Sequence, residues 1–270
     1  MKIFRKALDF YIDGSIHLAL SCFALVQITQ HYFNISKDFH IAYFAFFGAI
    51  VGYNFVKYEA LVRAKKGQVK NKLKAIAILS FFSLIAVGFY FFQLQKITQI
   101  ISIVFLILTL LYTLPFFPNK KNARNWAGVK IYIVALCWVG VTVVLPVLNA
   151  EISLTSDFYL KCIQRFILIF VLILIFEIID LAKDDPHLQT VPQQIGVKQT
   201  KKLGFLLLAL FFGLNFFSFI DDANFEYSSF IIAIVTAFFL AFAKENRSKY
   251  YTSFWVESVP ILWWLMVLVL

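Results

Sequence analysis

Phe166-Ile-Leu-Ile-Phe-Val-Leu-Ile-Leu-Ile-Phe176 runs directly into Glu177-Ile-Ile-Asp180-Leu-Ala-Lys-Asp184-Asp185, and His187, Thr190, Pro192 and Gly196 follow. An apolar run of this kind, ended abruptly by acids, reads as a helix leaving a membrane. Glu177, Asp180 and Asp184 are spaced i, i+3 and i+7, so on a continuing helix they lie on one face, one above the next. Such a carboxylate ladder has two readings. It is a charged helix end at the water interface, or it holds a divalent cation against a phosphate, because Mg²⁺ takes one or two carboxylates and completes its octahedron with water and phosphate oxygens.

The rest of the chain fits that setting. Hydrophobic residues make up 61% of the 270 and charged ones 15%, and the mean hydropathy is +0.80. So much apolar surface cannot be hidden in a soluble core, and lipid must be part of the solvent. The fold class expected is all-α, a polytopic membrane protein forming a single helical domain over residues 1–270. Cys22, Cys137 and Cys162 are far apart and embedded in apolar runs, which suits burial and argues against a disulfide framework or a zinc site. Asp9 and Asp13 interrupt the basic N-terminal stretch, so it is read as retained and not as a cleaved signal.

Uncharged stretches separated by charged clusters give nine spans, at 14–33, 39–56, 75–94, 97–117, 131–148, 160–180, 203–220, 227–243 and 251–269. With the N-terminus in the cytoplasm, 21 of the 25 Lys and Arg residues fall in cytoplasmic segments, leaving Lys37, Lys96, Lys161 and Arg165 outside. That alternation follows the positive-inside rule. It places the chain in the cytoplasmic membrane if the source is bacterial, with its C-terminus outside. The net charge of +10 is then mostly topology, with affinity for anionic headgroups as a by-product and no sign of a nucleic-acid partner. The acid ladder, the basic loop Lys57–Lys74 and Lys120-Lys121-Asn122-Ala123-Arg124 all face the cytoplasm in this arrangement. Asn54, near the end of the second span, is a costly polar residue of the kind that faces a cavity.

These residues resemble the UbiA-type intramembrane prenyltransferases. That family's second acid motif, D-x-x-D-x-x-x-D followed by T-x-P-x-x-x-G, is matched by Glu177, Asp180, Asp184, Thr190, Pro192 and Gly196, with Glu for Asp at its first place. The segment from Tyr112 to Lys120 resembles a helix-4 pattern of the family more loosely. The first acid motif, N-D-x-x-D-x-x-x-D, keeps Asn54 and loses every carboxylate, since Phe55, Tyr58 and Val62 stand in the acid places. Lys57 shares Asn54's face and brings positive charge where the family has metal ligands.

The resemblance implies nine helices around a central cavity. It also implies Mg²⁺-dependent transfer of a prenyl group from an allylic polyprenyl diphosphate to a lipophilic or aromatic acceptor, within membrane lipid. Asp180 and Asp184 are the expected catalytic acids. Glu177, Asp180, Asp184 and Asn54 are the expected metal ligands, and Asn54, Lys57, Lys120, Arg124 and Lys183 the expected contacts to the diphosphate. The lost first motif keeps a reading from another class open, a non-catalytic relative that binds an isoprenoid lipid or a membrane partner.

Overall fold

In the computed structural model, which describes residues 2–36, 38–64, 71–114, 128–220 and 222–270, the chain is a bundle of helices with no strand among the described residues. The helices are α1 Lys2–Asp13, α2 Ile16–Tyr32, α3 Phe39–Ala64, α4 Asn71–Phe91, α5 Lys96–Thr113 and α6 Lys130–Val139. They continue with α7 Leu145–Asn149, α8 Ser156–Asp180, α9 Val191–Gly213, α10 Ala223–Phe242 and α11 Val259–Val269. A π-helical turn, Gly140–Val144, joins α6 to α7, and another, Tyr251–Val256, leads towards α11.

Eight of the described helical stretches are long and apolar enough to cross a membrane, and the bent pair of α1 and α2 raises the number to nine. Eight of the nine expected spans thus stand as single helical stretches, and the first is met when the bent pair counts as one span. In the bent pair the axes turn by 58° at Gly14-Ser15, where Ser15 adopts a left-handed φ of 60°. α1 departs at this angle from the apolar α2, with Phe4, Arg5 and Lys6 exposed.

α8 and α2 are the most buried of these helices, and for α8 composition is the reason. Apolar on every face from Phe166 to Phe176, it has no polar stripe to present to water and takes the centre of the bundle. Ile167, Leu168, Val171, Ile175 and Ile178 pack in one cluster with Leu25 of α2, Phe211 of α9, Ile232 of α10 and Trp263 of α11. On the far side of α2, small residues let the helices approach closely: Cys22 and Val26 meet Ala42 and Ala45 of α3.

Lys161 and Arg165, counted above with the outer charges, lie within the body of α8. The helix begins four residues before the expected limit of 160, and both side chains are buried, with 8% and 5% exposure. Their charge is accommodated within the bundle. Arg165 donates to Leu25 O at 3.2 Å and Thr142 Oγ1 at 2.9 Å, while the Lys161 ammonium lies 3.9 Å from the centre of the Tyr32 ring and 4.3 Å from that of Phe225. Cation–π contact and carbonyl acceptors replace the water that a loop would supply.

Candidate active site

At its carboxyl end α8 stops at Asp180, and the chain turns through residues 181–185 before α9 starts at Val191. The turn is held by Lys183 N donating to Asp180 O at 2.7 Å and Asp184 N donating to the same oxygen at 2.9 Å. The acid ladder therefore does not continue as a ladder. Glu177, 2% exposed, points across to the next helix, and its Oε2 accepts from Val191 N at 3.1 Å. One of its oxygens thus satisfies an N–H that the first turn of a helix leaves without an internal partner. Asp180 pairs with the exposed Lys183 at 3.2 Å. Asp184 Oδ2 is buried and has no hydrogen-bond partner.

Thr190, Pro192 and Gly196 shape the start of α9. Gln193 Oε1 accepts from Thr190 N at 2.9 Å, and Pro192 sits in the first turn, where its missing N–H costs nothing. Gly196 interrupts the helix with φ 79° and ψ 157°, a region essentially confined to glycine. A Cβ there would meet nothing within 4 Å, so the requirement is for backbone conformation and not for space.

The opposing end of α3 is built differently. Asn54 is 4% exposed and its amide is engaged: Oδ1 accepts from Ser15 Oγ at 2.9 Å, and Nδ2 donates to Gly14 O at 3.1 Å and to Ser80 Oγ at 2.9 Å. One turn on, Tyr58 donates to Asp13 O at 2.8 Å, and Lys57 Nζ lies 4.0 Å from Asp13 Oδ1. The Asp13-Gly14-Ser15 turn thus rests on the helix face where the first acid motif would be. Asn54 acts in this arrangement as a clamp between α2, α3 and α4.

Sequence reasoning missed the charged groups around that turn. Lys72 of α4 pairs with Asp13, Lys249 pairs with Asp9 at 2.6 Å and Asp13 at 3.8 Å, and Tyr250 donates to Asp9 at 2.7 Å. The spacing of Asp9 and Asp13, four apart and so on one helical face, was the available signal. Lys120 and Arg124 lie outside the described residues, as does the part of the Tyr112–Lys120 pattern beyond Leu114.

Solved structures match this arrangement closely. A UbiA homolog from Aeropyrum pernix K1 superposes with a TM-score of 0.69 at 15% identity, over 94% of this chain and 98% of the other. A UbiA homolog from Archaeoglobus fulgidus gives 0.60 at 13% identity, over 96% and 98%. The chain has the UbiA fold. A structure of digeranylgeranylglyceryl phosphate synthase also superposes, with a TM-score of 0.57 at 14% identity, over 100% of this chain and 98% of that one. No family model and no curated protein matches the sequence, so the likeness is carried by the fold and not by sequence identity.

The end of α8 is expected to hold Mg²⁺, and the donor chemistry there can be compared with what that ion takes. Among the described residues no three His, Cys, Asp or Glu side chains converge as a metal group. Two carboxylates with water and phosphate oxygens are nonetheless the usual set for Mg²⁺. Asp184 Oδ2, buried without a partner, is a donor atom of the right chemistry, and the Asp180–Lys183 pair is exposed enough to exchange partners at little cost. The Asn54 side chain is held by Ser15, Gly14 and Ser80, so ligation of a second ion would fall to the remaining lone pair of Oδ1.

Proposed function

We propose that the chain is a divergent UbiA-like membrane prenyltransferase, moving a prenyl group from an allylic polyprenyl diphosphate to a lipophilic or aromatic acceptor. The observation that carries this reading is the end of α8. On a UbiA fold, Asp180 and a partnerless Asp184 oxygen stand at a helix terminus held in place by Glu177, Thr190, Pro192 and Gly196. This end and the lysine-bearing end of α3 lie at the cytoplasmic side if the positive-inside orientation holds.

Asp180 and Asp184 would hold Mg²⁺, which when bound supplies Lewis-acid stabilisation of the departing diphosphate. Lys183 and Lys57 stand close enough to these two helix ends to add charge, as flexible point donors. In the transfer the allylic C–O bond breaks and its electron pair leaves on the diphosphate oxygen. A new bond forms from the acceptor to the allylic carbon, and the acceptor loses a proton. The bundle's part is to exclude water from the allylic carbon and to line its path with apolar and aromatic side chains.

Purified protein is to be incubated with Mg²⁺, radiolabelled prenyl diphosphates of several chain lengths and a panel of quinone-precursor and lipid acceptors, scoring both binding and transfer. Labelled acceptor product supports the enzyme. Binding with no transfer to any acceptor supports the non-catalytic reading instead.

A further inference from the structure

The lysines at the α3 side come from separate elements and converge on one helix. Lys57 belongs to α3, Lys72 to α4 and Lys249 to the segment before α11, and all three pair with Asp9 or Asp13 of α1. Three ammonium groups brought together repel one another unless anions lie among them, and besides Glu257 near Lys57 those anions come from α1. Its two carboxylates lie one helical turn apart on one face and share Lys249.

We propose that Lys57, Lys72 and Lys249 form an anion site for a diphosphate, and that Asp9 and Asp13 are its built-in occupants, which an arriving diphosphate displaces. The inference rests on the functional reading above for the identity of the ligand. It accounts for the loss of the first acid motif in physical terms: this half of the site binds phosphate directly through lysines, and the carboxylates that pair with those lysines belong to a removable helix.

Two features make the occupant removable. The three lysine side chains are about half exposed, at 44%, 52% and 49%, and ion pairs in such surroundings contribute little. A diphosphate offers more charge and more acceptor oxygens to the same ammonium groups. The hinge is also visible. α1 meets α2 at Gly14-Ser15, with Ser15 at a left-handed φ of 60°; Asn54 grips both residues and Tyr58 holds the Asp13 carbonyl, so the turn stays fixed while the Asp13 side chain and the earlier part of α1, with Asp9, move away.

The test is calorimetric titration of the full-length protein in detergent with inorganic pyrophosphate and with geranyl diphosphate, comparing wild type with Asp9→Asn, Asp13→Asn, the double variant and Lys249→Met. A binding-competent state populated a tenth of the time weakens apparent affinity by about tenfold. The double variant is therefore expected to bind both ligands about tenfold tighter, and Lys249→Met to bind them more weakly than wild type. Equal or weaker binding by a folded double variant overturns the proposal, as does an absence of pyrophosphate binding in every variant. Should the double variant not fold, Asp9→Asn alone decides, since it disturbs only contacts to Lys249 and Tyr250, and its affinity must rise. Tighter pyrophosphate binding without any prenyl transfer keeps the lysine site and rejects the enzyme; transfer with unchanged affinities does the reverse.

Discussion

Glu177 reaches from the last turn of α8 to the backbone N–H of Val191 at 3.1 Å, tying the acid-bearing end of one helix to the first residue of the next. The first acid of the spacing thus holds the start of α9, and the Mg²⁺ set proposed above is Asp180 and Asp184. The loop between the helices is positioned by this bond.

Replacing Glu177 separates the two roles. Glu177→Gln retains an oxygen acceptor for Val191 and is expected to change stability by less than about 1 kcal/mol, whereas Glu177→Ala strands a buried N–H at roughly 1–3 kcal/mol. Thermal unfolding in detergent reads both. Equal loss in the two variants would mean that the carboxylate charge, and so a cation beside it, is what matters.

Asn54 is expected to behave as a clamp. Asn54→Ala removes three side-chain hydrogen bonds and should lower stability by roughly 1–3 kcal/mol, allowing for the modest value of such bonds within membranes. The Mg²⁺ dependence of diphosphate binding should not change. A rise in the Mg²⁺ concentration needed for half-maximal binding, at unchanged stability, would instead make Asn54 a ligand.

Two glycines are needed for opposite reasons, and substitution distinguishes them. A Cβ on Gly140 would fall inside the Phe105 ring, so Gly140→Ala is expected to cost about 1–3 kcal/mol through overpacking and to be partly rescued by Phe105→Leu. Gly196→Ala should cost a similar roughly 1–3 kcal/mol through backbone strain, with no neighbouring substitution able to restore it. Thermal unfolding of the single and paired variants checks this, and rescue of Gly196→Ala by any packing change would contradict the conformational account.

The helices were legible because hydrophobic runs bounded by charges are a direct statement about lipid, and each expected span has its helix in the bundle. The positions of charged residues were less legible. Lys161 and Arg165 looked like a helix border because sequence does not reveal that Tyr32, Phe225, Leu25 and Thr142 would be brought around them from distant segments. The ladder at Glu177, Asp180 and Asp184 assumed a continuing helix, and the early end at Asp180 broke it. The engagement of Asn54 by Ser15 and of three lysines by α1 depends on a 58° bend that no local pattern announces beyond the Gly14-Ser15 pair.

Orientation is testable independently of chemistry. The distribution of 21 of 25 basic residues to one side predicts that single cysteines introduced between Lys183 and Lys202 are labelled from the cytoplasmic face and protected from an impermeant reagent outside. Labelling from outside alone would reverse the topology and place the acid end of α8 in the wrong compartment.

The most direct measurement is Mg²⁺-dependent binding of a prenyl diphosphate to Asp180→Asn and Asp184→Asn, with unfolding temperature followed in parallel. Both acids lie at the end of α8 and in the turn beyond it, where an amide is tolerated, so folding should be nearly unchanged. Each variant is expected to lose about tenfold or more in Mg²⁺-dependent affinity, as removal of one carboxylate from a two-carboxylate set implies. If both variants bind as the parent does, at any Mg²⁺ concentration, the end of α8 is only a charged helix terminus at the membrane surface.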